Sequence, residues 1–253
     1  MWLIAAALAA CGGTAWADPM RRLFEPTDLA LEDPGVSEWN MQAGLVRGPD
    51  AYRLVIPDFE LDLGLTRSVE LDVDGALALE DAPSRTFAFD TVSPDNLWLS
   101  LKTAIVDVSD VANGWGVGFG IQLGPKLPVA QQAAGVGGEG LALVGMTGPR
   151  SQLTLNMGGF IDPAVGAASR PGAVEGGLDY AYALDASKQW SLTADLSGVR
   201  FFTPDADQLN LATGIAYDPT ATLEISVTAL CGFLRGSDRY GVLLGISPKF
   251  HLW

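Results

Sequence analysis

Apolar and polar residues alternate along most of this chain. Leu153, Leu155, Met157, Gly159 and Ile161 share one parity, while Thr154, Asn156, Gly158 and Phe160 hold the other. Leu178, Tyr180, Tyr182 and Leu184 alternate with Asp179, Ala181 and Ala183. Trp190, Leu192, Ala194 and Leu196 alternate with Ser191, Thr193, Asp195 and Ser197, and Leu223, Ile225, Val227 and Ala229 with Glu224, Ser226 and Thr228. Earlier, Phe59, Leu61, Leu63 and Leu65 alternate with Asp58, Glu60, Asp62 and Gly64, and Trp115, Val117, Phe119, Ile121 and Leu123 with Gly116, Gly118, Gly120 and Gln122. Successive side chains of a strand point to opposite faces, so this period predicts strands with one apolar and one polar face. No helical stripe of comparable length competes. The predicted strands are 38–47, 58–66, 68–79, 96–106, 115–124, 139–147, 151–161, 176–184, 190–199, 208–217, 221–231 and 240–250, about twelve in all. The sixth is the weakest, because Leu141 to Met146 is apolar on both faces. Pro57 and Pro248 are expected at or beyond strand ends, where a missing donor costs least.

Strands of this length, roughly 9–11 residues, are those that cross a bilayer as a tilted β-barrel. Outside the N-terminal leader no apolar run reaches the length of about 18 that a membrane helix needs. The connections also alternate in length. If the mature N-terminus is periplasmic, the periplasmic set is mostly tight: Thr66-Arg67, Thr147 to Arg150, Asp185 to Gln189 and Asp218-Pro219-Thr220, with Asp107 to Gly114 longer. The opposite set holds the long loops, Glu80 to Asp95, Pro125 to Gly138, Asp162 to Glu175 and Arg200 to Asp207, with Gly48 to Pro57 and Gly232 to Arg239 intermediate. Trp39, Trp115, Trp190, Tyr217 and Phe250 all fall at the predicted periplasmic ends and share parity with the apolar faces. An apolar ring with a polar edge suits the headgroup region, so these five form a candidate membrane-interface girdle. A secreted soluble β-sandwich, with the apolar parity as its core, is the alternative. It explains the parity of the aromatics, but less well their clustering at one end of each strand.

Composition sharpens this picture. The chain has 253 residues, 48% of them hydrophobic and 18% charged, with 30 acidic against 15 basic side chains and 30 glycines. That is too apolar for disorder, and a net charge of −15 opposes binding to nucleic acid through a basic surface. High apolar content beside strong acidity is paradoxical for a soluble globule but expected of a barrel whose outside faces lipid. Residues 1–17 read as a signal peptide, with Ala15-Trp16-Ala17 as the small-x-small cleavage site. Leu8-Ala9-Ala10-Cys11 offers a rival reading as a lipoprotein signal with the lipid on Cys11. If the leader is removed, Cys231 is a lone thiol and no intramolecular disulfide forms. The organisation expected is a signal peptide over 1–17, a periplasmic N-terminal segment over 18–37 and a single barrel over 38–253.

Several segments resemble a large family of bacterial outer-membrane barrels labelled MetA-pathway of phenol degradation, or simply transporter. The resemblance lies in Ile56-Pro57-Asp58-Phe59-Glu60-Leu61-Asp62-Leu63-Gly64-Leu65-Thr66 followed by Val69-Glu70-Leu71, in Asn96 to Lys102, in Gly118 to Pro128, in Leu178 to Tyr182 and in Gly241 to Lys249. It covers roughly residues 36–253. It implies an up-and-down antiparallel transmembrane barrel that moves small or hydrophobic molecules across the outer membrane. The last strand, with Tyr240, Val242, Leu244, Ile246, Pro248, Phe250 and Leu252 on one face and Trp253 at the end, is similar to the terminal strands that the barrel assembly machinery recognises. Phe250, three residues from the end, departs from that pattern.

The polar parity is expected to face the lumen. It carries Asp58, Glu60, Asp62, Glu70, Asp72, Asp74, Asp179, Asp195 and Glu224, opposed by few cations, of which Lys102 is the clearest; Lys249 falls near the periplasmic mouth. Two readings stay open. One is an acidic pore that prefers cations or neutral solutes. The other is a narrow, packed interior in which these carboxylates are hydrogen-bonded. Gly116, Gly118 and Gly120 leave room on one wall and favour the open form. The acids from Asp58 to Asp74 follow strand alternation rather than a compact cation loop, so no dedicated metal site is expected. No Gly-x-Ser-x-Gly occurs, and the one histidine, His251, lies at the predicted periplasmic end of the last strand, so no Ser–His catalyst is expected on the outer rim and no cofactor is implied. The expected partners are outer-membrane lipids and lipopolysaccharide, the assembly machinery and a small-molecule solute. A non-conducting structural barrel remains the second alternative.

Overall fold

The computed structural model describes residues 29–81, 89, 91–106, 116–130, 133–163, 172–203 and 207–253. Thirteen strands account for most of them. They are β1 (Val36–Arg47), β2 (Tyr52–Thr66), β3 (Val69–Glu80), β4 (Thr91–Pro94), β5 (Leu97–Val106), β6 (Gly116–Leu127), β7 (Gly137–Thr147), β8 (Ser151–Ile161), β9 (Gly172–Ala183), β10 (Trp190–Phe201), β11 (Gln208–Thr220), β12 (Leu223–Gly232) and β13 (Tyr240–His251). Each strand pairs antiparallel with its neighbours, and β1 pairs with both β2 and β13, which closes the sheet. The short β4 lies against Leu77 to Glu80 of β3, above β5 on the same side. It is the upper part of one stave broken at Asp95 and Asn96, so the barrel has twelve staves. No helix of the described residues is long and apolar enough to cross a membrane.

Closure removes the exposed sheet edges that an open sheet would present. The period-two pattern then has two destinations. Leu155, Met157, Leu192, Val227, Val242 and Leu244 point outward and are exposed, Met157 by 65% and Leu155 by 46%. Such a continuous apolar outer band is what lipid contact requires. Asp72, Thr154, Asn156, Ser100 and Gln122 point inward and are almost fully buried. The sixth predicted strand resolves in the same way. In β7, Leu141 and Leu143 are buried inside, while Val144 and Met146 are exposed outside.

Several boundaries differ from the sequence reading, and three of the differences have a clear local reason. The chain re-enters the sheet at Tyr52, so Gly48 to Ala51 is a tight turn, with Gly48 N–H donating to the Ala51 carbonyl at 2.9 Å. Pro57 consequently lies inside β2, not at its start. The register shifts there against both neighbours, between Val55 and Asp58 relative to β3 and between Gln42 and Gly44 relative to β1. This bulge absorbs the missing donor and switches the inward parity from Val55 to Asp58. At the other end of the barrel, β11 runs through Asp218 and Pro219 past an irregularity between Tyr217 and Thr220. The turn is Ala221-Thr222, not Asp218 to Thr220. Pro248 is likewise within β13, paired with Leu223 close to the strand's end.

Candidate functional site: the barrel lumen

The interior has two unlike walls and a strap across one end. On the first wall, formed by β2, β3, β5 and β6, pairing places Asp62 opposite Asp72, Glu60 opposite Asp74, and Glu70 opposite Lys102. Like charges directly opposed across strands are unfavourable. Here the neighbours relieve them. Lys102 Nζ lies 2.7 Å from Glu70 Oε1, with both side chains buried. Gln122 donates from Nε2 to Asp72 Oδ2 and to Ser100 Oγ, each at 2.9 Å. Asn40 donates to Asp62 Oδ2 at 3.0 Å. Carboxylate oxygens of Asp62, Glu70 and Asp72 lie within 4.8 Å of one another, a spacing that a cation could bridge. Lys102 already supplies the positive charge at that point. Asp58 is buried on the same wall and Glu60 is half-buried.

The second wall, formed by β9 to β12 with Gln42 of β1, encloses a cavity of about 170 Å³. Asp179, Asp195 and Glu224 line it together with Gln42, Thr193, Ser226 and Thr228, and no lysine or arginine is among its lining residues. Asp195 stands directly opposite Asp179 in the β9–β10 register. Two alanines, Ala212 and Ala216, face it from β11 and leave the volume unfilled by side chains. The ten sequence-selected lumen residues therefore divide: Asp58, Glu60, Asp62, Glu70, Asp72, Asp74 and Lys102 belong to the first wall, and Asp179, Asp195 and Glu224 to the second.

The mouth next to the start of β1 and the end of β13 is crossed by residues 29–35. Gly35 sits in a left-handed conformation, with φ of 82°, where the chain turns into β1. Its N–H donates to the Gly64 carbonyl at 2.9 Å, and its carbonyl accepts from Leu252 N–H at 2.8 Å. A Cβ at Gly64 would run into the carbonyls of Glu32 and Asp33, so only glycine lets the strap pass over β2. Glu32 Oε1 accepts from Lys249 Nζ at 2.7 Å, and its backbone N–H donates to Glu70. Lys249 also contacts Glu38 at 2.9 Å. Leu29 is buried against Leu143 of β7. Its side chain also fills the space beside Gly120 and Gly145. The room that glycine leaves at position 120 is therefore occupied by the strap rather than open.

Toward the long-loop end lie polar groups that strand alternation alone did not single out. Lys126 Nζ contacts Glu139 Oε2 at 2.8 Å and sits 4.8 Å above the Phe160 ring. Both residues lie just beyond or at the margin of predicted strands, where parity was not applied. Asn96 accepts from the backbone N–H groups of Val129 and Ala130, each at 2.8 Å, and donates to Asp162 at 2.6 Å. It thereby ties two long connections to the break between β4 and β5. Arg53 of β2 pairs with Asp238 of the β12–β13 connection. Such links join residues far apart in sequence, and no local period marks them.

Of the girdle residues, Trp39 and Phe250 meet edge to face at 5.4 Å, and Trp190 and Tyr217 stack at 4.4 Å. Both pairs lie at the end of the barrel that holds the start of β1, the end of β13 and the short turns. Trp115 and the signal peptide lie outside the described residues. His251 is exposed at the last position of β13, and Cys231 is a free thiol of intermediate burial.

A closed antiparallel barrel with an apolar exterior, a polar lumen and aromatic pairs at one boundary defines a transmembrane β-barrel of the bacterial outer-membrane class. Solved structures share the fold. An outer membrane channel from Pseudomonas putida F1 superposes with a TM-score of 0.67 at 11% identity, covering 90% of this chain and 100% of that one. The NanC porin gives a TM-score of 0.58 at 9% identity, with 84% and 100% covered. The KdgM porin gives 0.54 at 8% identity, with 85% and 99% covered. No protein-family model matches the chain, and no curated protein matches it in sequence.

Proposed function

We propose that the protein is a passive channel for small cationic or neutral solutes. One observation carries this reading: the cavity on the β9–β12 wall is lined by three carboxylates and three hydroxyls without a basic residue. Two aspartates held directly opposite each other cost stability. A cost kept beside an open cavity points to a role in solute contact rather than in folding. In a low-dielectric wall such a set raises the local concentration of cations and repels anions. The short-turn end, where β1 starts and β13 ends, faces the periplasm, and the terminal strand serves recognition by the assembly machinery. The segments quoted above support a place in the family labelled MetA-pathway of phenol degradation. The exposed rim position of His251 argues against a catalytic role for that residue.

Planar-bilayer recording under a salt gradient tests the proposal. The expected result is discrete conductance with a reversal potential of cation-selective sign. That selectivity should weaken as ionic strength rises and the Debye length falls below about 10 Å. Folded protein that conducts nothing, or that prefers anions, refutes it.

A further inference from the structure

We infer that the cavity on the β9–β12 wall is a binding site for a linear polyamine, an inference that rests on the channel reading and names its solute. The lining is ordered along the staves. Register puts Asp179, Asp195 and Ala212 in one row, Thr193, Gly214 and Thr228 in the next, and Ala216, Ser226 and Gln42 in a third. Glu224 follows two residues beyond Ser226 on β12. The first row reaches β12 at Leu230, six residues from Glu224. The aspartate pair and Glu224 are therefore separated by roughly 20 Å of strand, at 3.3 Å per residue. The cavity thus carries carboxyl groups toward its two ends, with hydroxyls, an amide and alanines between them.

Two acceptors in this lining are unmatched. Asp195 is only 8% exposed, and its Oδ1 has no hydrogen-bond partner. Gln42 Oε1 has none either. Both are acceptors, which an N–H donor satisfies and an anion does not. A single metal ion fits poorly. Among the described residues, the three acids close enough to share one ion, within 4.8 Å, are Asp62, Glu70 and Asp72 of the first wall. Those of the second wall are spread along it. A chain of methylenes with ammonium groups at its ends and middle matches that spread. One terminal ammonium meets the Asp179–Asp195 pair, the inner N–H donors meet Thr193, Thr228 and Gln42, and the other terminal ammonium meets Glu224. The methylenes lie along Ala212, Gly214 and Ala216, alternate residues of one stave. Glycine is required in that row, because a Cβ at Gly214 would lie 2.7 Å from Thr228 Oγ1 and 3.0 Å from Thr193 Oγ1. An ammonium on a carboxylate makes a charge-assisted hydrogen bond, stronger than one between neutral groups.

Calorimetric titration of the folded barrel in uncharged micelles, at fixed ionic strength, tests the site with spermidine, putrescine, butylamine and Mg²⁺ as probes. Spermidine should bind one per barrel and more tightly than the other three. Glu224→Gln should weaken spermidine about tenfold, the loss expected for one charge-assisted hydrogen bond. It should leave the shorter putrescine, held at the aspartate pair, nearly unchanged. Ala216→Leu keeps every carboxyl group and fills the middle of the cavity, so it should weaken spermidine as well. Asp50→Asn, at an exposed turn position, is the control and should change nothing. Equal or tighter binding of Mg²⁺, or equal losses at Asp50 and Glu224, overturns the polyamine site in favour of diffuse attraction to acidic groups. Unchanged spermidine binding in both Glu224→Gln and Ala216→Leu overturns its placement. A barrel that conducts cations but shows no saturable spermidine binding overturns the site while leaving the channel standing. Saturable binding in a barrel that conducts nothing keeps the site and overturns the channel reading.

Discussion

The two lumen walls pose the same electrostatic problem and answer it differently. On each, an aspartate of one strand stands directly opposite an aspartate of the next: Asp62 against Asp72 on the β2–β3 side, and Asp179 against Asp195 on the β9–β10 side. Around the first pair the barrel supplies a lysine, two side-chain amides and a serine, all close-packed. Around the second it supplies hydroxyls, one glutamine, a third carboxylate and open volume. A buried ion pair is rigid but costly to break, because removing one partner strands the other. An acidic wall facing a cavity can instead be neutralised by whatever cation enters. On the channel reading proposed above, the first wall holds the barrel's shape and the second meets solute.

The strongest way to break this comparison is at Lys102. Lys102→Met should destabilise the barrel by about 3–5 kcal/mol, since Glu70 would lose its buried counter-charge beside Asp62 and Asp72. Urea unfolding in detergent micelles measures this. A loss below about 1 kcal/mol would mean that the first wall is not held by its ion pair.

The outer face should be indifferent to the wall behind it. Leu155→Arg on β8 and Val227→Arg on β12 replace outward, exposed apolar side chains of the lipid band. Each should cost about 2–4 kcal/mol in bilayers if it lies near the midplane. Unequal losses, with one site silent, would contradict the assigned parity on that side. Asp195→Asn makes the complementary test on the second wall. It removes one of two opposed carboxyl groups, so stability should hold or rise slightly. Cation preference should fall, seen as a reversal potential closer to zero. A large stability loss there would make the second wall structural like the first.

These walls were legible in the sequence to unequal degrees. Strict alternation put Asp179, Asp195 and Glu224 on the polar face, because a period of two needs only local information. The same rule placed Asp58 to Asp74, except where Pro57 inserts a bulge and shifts the phase by one residue. A bulge is defined by the partner strands, and Gln42 and Ala76 are not neighbours of Pro57 in sequence. The distinction between packed and open walls was not legible at all. It depends on Gln122 reaching Asp72 and on Ala212 and Ala216 standing where larger residues would fill the space. The strap was equally hidden, since residues 29–35 carry no period. Only the glycines at 64, 120 and 145 mark its path, and a glycine that makes room for another segment looks like any other in sequence.

The smallest effect is expected at the rim. Trp190 and Tyr217 stack at 4.4 Å beneath the second wall, and Trp39 meets Phe250 at 5.4 Å beside the first. Trp190 and Tyr217 lie on β10 and β11 of the second wall, and Trp39 and Phe250 on β1 and β13, which join the two walls. Tyr217→Leu keeps an apolar side chain and removes the ring contact, so it should cost about 0.5–1.5 kcal/mol. Phe250→Leu should cost a similar amount. Neither should move the reversal potential, because neither residue lines the cavity. Urea midpoints in vesicles and bilayer recordings on the same two variants check both halves. If Tyr217→Leu alters selectivity while Phe250→Leu does not, the second wall communicates with its rim. The distinction between the walls would then extend through the barrel to the lipid boundary.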